Sequence, residues 1–307
     1  MEYVLQTFDL TKKYKKHFAV HNVNMHICKG DIYGFVGENG SGKTTIIRLI
    51  TGLIFPYAGN FSLFGVSNQT NQILKEQKRV GAIVETPSIY KNMSAYDNLK
   101  MQSAIIGLKD DNKIKEVLQE VGLAELYGEK KHAGDFSLGM RQRLGIAMAL
   151  LGDPEFLILD EPMNGLDPAG IVALRELILK LNHEKNITFL ISSHILTELA
   201  LIATKYGIIS KGKLIKEISA EELKKSCEKT TTIHVSDGLA AQNALVSILP
   251  ASQVTYSEHQ VEIKGDVRLN SIFEPLIQAG VEIETVSCSE FSIENYYLSL
   301  IGGTQHG

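Results

Sequence analysis

Short apolar runs and amphipathic segments alternate along most of the chain. The runs Asp31–Val36, Phe156–Leu159 and Ile187–Ile191 are almost entirely apolar, and polar turns bound them. Runs of this kind are typical of strands that are buried on both faces of a parallel sheet. Segments between them keep helical spacing, as residues 114–121 do on one face. The pattern through Leu201 therefore predicts an α/β fold with helical crossovers.

The pattern also divides this α/β region into parts. Residues 3 to about 65 alternate short strands and turns, and residues 86–152 are more helical, which predicts a helical subdomain. A hairpin from Tyr206 to Ile218 is expected to close the domain around a Lys-Gly-Lys turn. We place this first domain at residues 1–228.

From about Thr230 the pattern changes to a smaller unit, residues 229–307, which a polar helix over Glu221–Lys229 links to the first domain. Strands and helices are expected in the order β-α-β-β-α-β, which is the order of a ferredoxin-like α+β fold. The predicted elements are strand 231–235, helix 239–249, hairpin 253–264, helix 270–279 and strand 281–287. No catalytic constellation is found in this unit, so we interpret it as an accessory domain.

The first candidate site is the loop Gly37–Thr44, which reads G-x-x-x-x-G-K-[ST] between a strand-like segment and an apolar helical run. In this context glycines allow close backbone approach to phosphates, and a helix N-terminus points at the anion. The lysine adds a positive charge, and the threonine hydroxyl is placed to bind Mg²⁺. The loop therefore predicts a nucleotide phosphate site. The expected contacts are Gly37, Asn39, Gly40, Ser41, Gly42, Lys43, Thr44 and Thr45.

The second candidate site is the acidic pair Asp160 and Glu161, which follows the apolar run Phe156–Leu159. Ligands of parallel sheets bind at the carboxyl ends of strands. We expect Asp160 to hold Mg²⁺ together with Thr44, directly or through water. Glu161 is expected to act on the attacking water, as a general base or as the group that orients it.

Composition sets limits on the class of protein. The 307 residues are 44% hydrophobic and carry a net charge of −4, which argues against general nucleic-acid binding. No run approaches the ~20 apolar residues that cross a bilayer, and Met1–Leu5 lacks the start of a signal peptide, so we expect neither a membrane span nor secretion. The cysteines Cys28, Cys227 and Cys288 are far apart, which suits a reducing compartment.

Between the two sites, Phe136–Leu144 opens a small apolar helix, and here the sequence resembles the ATP-binding subunits of ABC transporters. Their signature is Leu-Ser-Gly-Gly-Gln, and the present version departs from it at Phe136, Leu138 and Met140. Ser137 and Gly139 keep the hydroxyl and the flexible backbone that contact phosphate. The resemblance implies that these residues engage nucleotide held by a second copy, in a head-to-tail homodimer that encloses two ATP molecules.

Other positions match the same family. Tyr14 is placed to stack on adenine, since aromatic faces are good platforms for bases. His194, at the end of the run that begins at Ile187, matches the histidine that contacts the γ-phosphate. Asp167 matches a loop residue that contacts the phosphate loop of the opposing subunit.

Glu85 occupies the position where most members of this family have a glutamine that reaches Mg²⁺ and the water. A glutamate there resembles the lantibiotic-immunity branch, close to the bacitracin-resistance type. A carboxylate adds a negative charge near the metal and removes a hydrogen-bond donor, so we expect altered metal binding and coupling. Glu85 is therefore a candidate for both the metal site and catalysis.

The resemblance implies an ATPase at the cytoplasmic face of the cell membrane, with ATP and Mg²⁺ as cofactors, whose integral membrane permease subunits contact the transported substrate. Residues 86–106 are candidates for gripping the permease, through Ile89, Tyr90, Met93, Tyr96 and Leu99. We expect export of a peptide antibiotic. Alternatives are a generic exporter of sodium, lipid or polysaccharide, a soluble P-loop kinase or hydrolase, and a non-transport ABC ATPase that works on ribosomes or DNA.

Overall fold

The computed structural model describes residues 2–226, 230–265, 267–289, 296 and 300. It divides into two compact units, residues 1–220 and 221–307. The boundary lies before the predicted one at residue 228, because the segment predicted as a linker belongs with the second unit. Cys227 and the end of the predicted accessory domain, residues 301–307, lie outside the described residues.

The first unit contains two sheets and the helices that cover them. Its strands are β1 (Tyr3–Tyr14), β2 (His17–Val23), β3 (His26–Cys28), β4 (Ile32–Val36), β5 (Ala58–Leu63), β6 (Val66–Ser67), β7 (Val80–Ile83), β8 (Phe156–Asp160), β9 (Thr188–Ser193), β10 (Lys205–Ser210) and β11 (Lys213–Ser219). Its helices are α1 (Lys43–Ile50), α2 (Ile73–Gln77), α3 (Ala95–Ile106), α4 (Asn112–Glu120), α5 (Leu138–Leu150), α6 (Pro168–Lys185) and α7 (Leu196–Leu199), with short 3₁₀ turns at Ala124–Leu126 and Ala133–Asp135.

The main sheet has the strand order β11-β10-β4-β9-β8-β7, and its neighbours are parallel from β10 to β7. Strands β4, β8 and β9 are buried along their whole length, as their continuous apolar runs predict. The antiparallel hairpin of β10 and β11 closes the sheet, which confirms the expected hairpin. A second sheet, antiparallel around β1, packs with α1 and β4 in one core of buried apolar side chains.

The helical subdomain follows its sequence signals closely. Helix α3 begins with a capping box, in which the Ser94 hydroxyl accepts the Asp97 N–H and the Asp97 carboxylate accepts the Ser94 N–H. Helix α4 buries Ile114, Val117 and Leu118 on the predicted face. Helix α5 begins at the signature segment and ends before β8, so this subdomain lies between the two candidate sites in the sequence.

A hydrogen-bonded group of side chains lies at the amino end of the main sheet. The Tyr33 hydroxyl donates to Glu217 Oε1 (2.8 Å), and the backbone N–H of His26 donates to the same oxygen (2.9 Å). His26 Nδ1 is 2.8 Å from Glu217 Oε2, and Lys205 Nζ is 3.6 Å from Oε1. Gly207 carries no Cβ, which would lie 2.1 Å from the Tyr33 hydroxyl. We call Tyr33, Glu217, His26 and Lys205 the amino-end cluster; it ties the two sheets together.

The second unit has its own apolar core. It consists of α8 (Ala220–Ser226, which begins at the unit boundary), β12 (Thr230–Val235), α9 (Gly238–Val246), β13 (Val254–Ser257), β14 (Gln260–Lys264), α10 (Leu269–Gln278) and β15 (Ile283–Ser289). The sheet order is β13-β14-β12-β15, and each neighbouring pair is antiparallel. This order and the predicted β-α-β-β-α-β succession confirm the ferredoxin-like interpretation.

Candidate functional site

The candidate site lies at the carboxyl edge of the main sheet. Strand β4 leads into the phosphate loop, and Val36 is aligned with Ser193 of β9. Strand β8 ends at Asp160, which is aligned with Ser192. The carboxyl ends of parallel strands meet at one edge, so loops distant in sequence form one crevice.

The phosphate loop has the backbone that its glycines predict. Gly42 caps α1 with φ of 112°, a left-handed conformation that side chains rarely adopt, and a Cβ there would lie 2.7 Å from the Ala19 carbonyl oxygen. At Gly37 a Cβ would lie 2.4 Å from the Ile209 carbonyl oxygen. Both positions therefore require glycine. Asn39 and Gly40 are exposed on the loop.

Lys43 is held across the mouth of this loop. Its Nζ donates to the carbonyl oxygens of Gly37 (2.6 Å) and Glu38 (3.2 Å), and its side chain is 5% exposed. A buried ammonium needs negative partners, and besides these two oxygens the Glu161 carboxylate lies 3.2 Å from Nζ. Lys43 belongs to the phosphate loop, where its charge can also meet an anion that enters.

The β10–β11 turn braces the phosphate loop from the side. The Gly212 N–H donates to the Ser41 carbonyl oxygen (2.8 Å), and the His21 N–H donates to the Gly212 carbonyl oxygen (2.8 Å). The loop is therefore connected to both sheets through one glycine.

The acidic pair is fixed by a hydroxyl from the neighbouring strand. Asp160 is 1% exposed, and its Oδ1 accepts the Ser192 hydroxyl at 2.5 Å. The Glu161 N–H donates to the same hydroxyl oxygen at 2.8 Å. Glu161 itself has φ of 49°, an uncommon conformation for a residue with a side chain, and such conformations cluster at functional sites.

The Glu161 carboxylate lies between two basic groups. Its Oε2 is 2.8 Å from His194 Nδ1, and its Oε1 is 3.2 Å from Lys43 Nζ. Within the described ranges Oε1 has no partner of hydrogen-bond geometry, so its contact with Lys43 is an ion pair by distance. The structure thus brings together Lys43, Glu161 and His194, three residues that the sequence placed in separate motifs.

The oxygen atoms of this crevice fit a magnesium ion. Asp160 Oδ2 is buried, and no hydrogen-bond partner for it exists among the residues described. Thr44, Glu85, Asp160 and Glu161 line one cavity of about 510 Å³. Mg²⁺ prefers oxygen ligands and commonly binds through one or two carboxylates plus substrate phosphates.

Glu85 takes a position that the sequence did not foresee. It has φ of 63°, its side chain is 60% exposed, and its Oε1 accepts a hydrogen bond from Arg48 Nη2 at 2.6 Å. The arginine lies in the last turn of α1 and was absent from the predicted site. Arg48 and Glu85 are 37 residues apart in the sequence, and no sequence motif links the two positions. The metal and catalytic roles of Glu85 stay predictions.

The signature residues lie in a neighbouring pocket. Ser137, Gly139 and Asp167 line a cavity of about 250 Å³, and Gln142 lines both this cavity and the larger one. The Ser137 hydroxyl caps α5 by accepting the Met140 N–H (3.2 Å), and the Asp167 carboxylate caps α6 by accepting the Gly170 N–H (3.0 Å). Leu138 and Arg141 of the same segment line the larger cavity together with Thr44, so the two cavities are neighbours.

The last two predictions concern adenine stacking and the contact with the permease. Tyr14 ends β1, is 45% exposed, and has the Lys12 ammonium 5.3 Å from its ring centroid, so its role in adenine stacking stays a prediction. Among the candidates for a permease grip, Tyr90 is exposed, but Leu99 is fully buried. Including Leu99 was wrong, because its position on α3 faces the core. The large apolar residues exposed on this helix are Ile105 and Ile106, which helical spacing alone did not single out.

Together, the parallel sheet, the phosphate loop, the acidic pair and the helical insert define a P-loop nucleotide hydrolase of the ATP-binding cassette class. The sequence profile of the ABC transporter family matches residues 20–164. The chain is 44% identical to the bacitracin transport ATP-binding protein BcrA of Bacillus licheniformis, over 99% of both chains. It is 42% identical to the lantibiotic transport ATP-binding protein SrtF of Streptococcus pyogenes, over 70% of this chain and 90% of that one. The chain belongs to the ABC transporter ATP-binding family and is an ATPase that binds ATP.

Solved structures agree with this fold. The cbiO1 protein of Clostridium perfringens, part of the ABC transporter complex cbiONQ, is 25% identical with a TM-score of 0.66, covering 73% of this chain and 91% of that one. A dimeric post-hydrolysis ATP-binding cassette, MJ0796, bound to ADP and Pi, is 22% identical with a TM-score of 0.62, covering 70% and 98%. Among the described residues, no helix has the length and apolar character to cross a membrane.

Proposed function

We propose that this chain drives the export of a bacitracin-like or lantibiotic peptide, as the ATPase subunit of a complex with separate membrane permeases. The observation that carries the proposal is the 44% identity to a bacitracin transport ATP-binding protein over 99% of both chains. Similarity over the whole length includes the second unit, which the family profile does not cover. The glutamate at position 85 supports the same branch.

The geometry supports a division of roles in ATP hydrolysis. The phosphates bind to the loop N–H groups of residues 37–45 and to Lys43, which is already oriented by two carbonyl oxygens. Asp160 and Thr44 would hold Mg²⁺, which neutralises charge on the phosphates. Glu161 orients and deprotonates the attacking water, and His194 keeps the Glu161 carboxylate in place through the 2.8 Å contact.

Two copies of the chain are needed for a complete site. Ser137, Gly139 and Asp167 line a pocket that shares Gln142 with the cavity lined by Thr44, Asp160 and Glu161. The match of these three residues to the signature and loop positions of the family supports a head-to-tail pair in which each signature segment closes over the partner's nucleotide. The pair would work at the cytoplasmic face of the membrane, with Tyr14 stacked on adenine and the permease contacting the peptide.

Glu85 would couple the nucleotide to the permease. It lines the cavity of the acidic pair and is also exposed on the surface before the helical subdomain. A carboxylate at this position requires a positive partner near the phosphates, because like charges repel. Arg48 supplies such a partner in this structure, and the metal would supply it when nucleotide is bound.

The test is genetic. Deleting the gene in its native cell should raise sensitivity to bacitracin, to lantibiotics, or to both, and the wild-type gene should restore resistance. Glu161→Gln should fail to restore it although the protein is made, whereas Tyr33→Phe, at the opposite end of the sheet, should restore it. If the deletion leaves sensitivity to these peptide antibiotics unchanged but alters tolerance to sodium or to envelope stress, the chain would be assigned to a generic exporter.

A further inference from the structure

We propose that Ser192 is a positioning residue of the nucleotide site. Its hydroxyl fixes the Asp160 carboxylate and the backbone of Glu161 at the same time, and it leaves Asp160 Oδ2 free to bind the metal ion. This inference rests on the proposed function, because it concerns the Mg²⁺ that accompanies ATP.

The strand register places this hydroxyl beside the carboxylate. Asp160 is the last residue of β8, and Ser192 is its aligned partner on the parallel strand β9. Aligned residues of neighbouring strands project to the same face of a sheet. Both side chains are buried, Ser192 with no exposed surface and Asp160 with 1%. In this enclosed setting their 2.5 Å contact is not shared with bulk water.

The donors and acceptors around Ser192 determine the direction of its hydrogen bond with Asp160. A serine hydroxyl has one proton to donate and two lone pairs to accept with. The Glu161 N–H can only donate, so it occupies a lone pair of Ser192 Oγ at 2.8 Å. The hydroxyl proton is then available for Asp160 Oδ1 at 2.5 Å. Ser192 therefore holds one carboxylate oxygen and selects the other, Oδ2, as the metal ligand.

The unpaired oxygen Oδ2 of Asp160 is a second and independent indication that a ligand binds here. Asp160 Oδ2 is buried and, across the part of the chain that the structure describes, lacks a hydrogen-bond partner. A buried charged oxygen without a partner is unfavourable unless a cation or donor reaches it. With Oδ1 occupied by Ser192, a metal ion would meet a carboxylate that does not need to reorient.

The same hydroxyl supports the residue that acts on water. Glu161 has φ of 49°, and its N–H is held by Ser192. In this conformation the Glu161 side chain contacts both Lys43 and His194. The adjacent Ser193 behaves differently, since its hydroxyl serves the turn after β9 by contacting the Ile195 backbone. The two neighbouring serines thus have separate tasks.

The experiment measures metal binding directly on the full-length chain. Mn²⁺ replaces Mg²⁺ and is titrated in the presence of a non-hydrolysable ATP analogue, with free Mn²⁺ followed by electron paramagnetic resonance. Ser192→Ala should weaken Mn²⁺ binding about 10- to 100-fold, the usual cost of losing a residue that orients a metal ligand. Nucleotide binding in EDTA should stay unchanged, and kcat should fall more than KM rises.

A matched control comes from the same strand. Thr188 is also fully buried, and its hydroxyl accepts the Gly30 N–H at 2.9 Å, but it lies at the opposite end of β9. Thr188→Val should lower the melting temperature and leave the affinity for Mn²⁺ unchanged. Ser192→Thr, which keeps the hydroxyl, should retain metal binding. If Ser192→Ala does not fold, Ser192→Cys decides, because a thiol has similar size and is a weak donor.

The outcomes separate this inference from the proposed function. A folded Ser192→Ala or Ser192→Cys protein that binds Mn²⁺ as the wild type does would overturn the positioning role and leave the ATPase assignment intact. Equal losses of metal affinity in Ser192→Ala and Thr188→Val would also overturn it, since the effect would then be general destabilisation. A wild-type chain without nucleotide binding would instead overturn the proposed function.

Discussion

Polar side chains gather at both ends of the main sheet, and the two groups differ in how completely their atoms are paired. At the amino end, both oxygens of Glu217 have partners, and the group includes a fully buried tyrosine. At the carboxyl end, the buried atoms Ser41 Oγ, Asp160 Oδ2 and Glu161 Oε1 have no hydrogen bond within the described residues. Leaving a buried polar atom unpaired costs about 1–3 kcal/mol.

The difference teaches how to tell a structural cluster from a binding site in this protein. Both clusters combine a fully buried polar side chain with charged groups that are partly exposed, so burial and charge alone do not distinguish them. The amino-end cluster is complete by itself and stabilises the contact between the sheets. The carboxyl-end site becomes complete when a ligand supplies the missing partners. We therefore expect mutations at the two ends to affect different measurements.

The largest expected effect is that of Glu161→Gln on turnover. Losing the general base should lower kcat by about 10²- to 10⁴-fold. ATP binding should persist because Lys43 and the phosphate loop are unchanged, and a nucleotide-bound pair of chains should accumulate. Phosphate release and light scattering with Mg²⁺-ATP measure the two effects. Phosphate release at the wild-type rate would contradict the role of Glu161 as the base.

The next largest effect is expected at the opposite end. Glu217→Ala removes the shared acceptor of Tyr33 and His26, so it should lower the free energy of unfolding by roughly 2–3 kcal/mol, in the range for bonds to a charged group. ATP affinity should not change in the folded protein. Urea denaturation and nucleotide titration give the two numbers. If Glu217→Ala weakens ATP binding without a loss of stability, the amino-end cluster would not be purely structural.

Tyr33→Phe sharpens the same distinction by its dependence on pH. Burial, and then the neighbouring Glu217 carboxylate, hold the pKa of Tyr33 well above its usual value. At neutral pH the lost hydrogen bond should cost about 1.5 kcal/mol. Because the folded-state pKa is raised, the neutral tyrosine contributes its full stabilisation below pH 10, and the contribution falls as pH rises from about 10 toward the folded-state pKa.

The difference in stability between wild type and Tyr33→Phe should therefore narrow at alkaline pH. Urea midpoints of both proteins, measured from neutral pH up to about 11, give this difference directly. Other tyrosines titrate in both proteins and cancel in the comparison. A difference that stays constant above pH 10 would mean that Tyr33 is not the protonated donor to Glu217.

The smallest effect on stability is expected for Arg48→Ala. The Arg48–Glu85 pair belongs to the carboxyl end, but its side chains are 40% and 60% exposed. Exposed ion pairs contribute about 0–1 kcal/mol, so the free energy of unfolding should change little. Added salt should reduce the difference further. A loss as large as that of Glu217→Ala would show that this pair is structural.

The sequence predicted those parts of the site that are contiguous in the chain. The phosphate loop and the acidic pair after β8 could be proposed from local spacing, and the histidine after β9 from the family resemblance, while their roles stay predictions. The order of elements in the second unit was also correct, since turns and alternation mark each strand. The predicted division at residue 228 stays a prediction, and the structure groups the polar helix with the second unit.

What the sequence could not give depends on strand order and register. The Ser192 hydroxyl is paired across 32 positions with Asp160, and Tyr33 is paired across 184 positions with Glu217. A serine at the end of an apolar run gives no sign of its partner until neighbouring strands are known. Leu99 was misassigned for a related reason, since periodicity identifies an apolar face but not what covers it.

The hydrogen bonds between the phosphate loop and the β10–β11 turn limit where a foreign sequence can be inserted. Gly212 holds Ser41 on one side and His21 on the other, so an epitope or a fluorescent label in this hairpin would distort nucleotide binding. The β5–β6 turn at Gly65 is different, because no described atom lies within 4 Å of a Cβ built there. A reporter inserted at Gly65 should therefore leave ATP binding undisturbed.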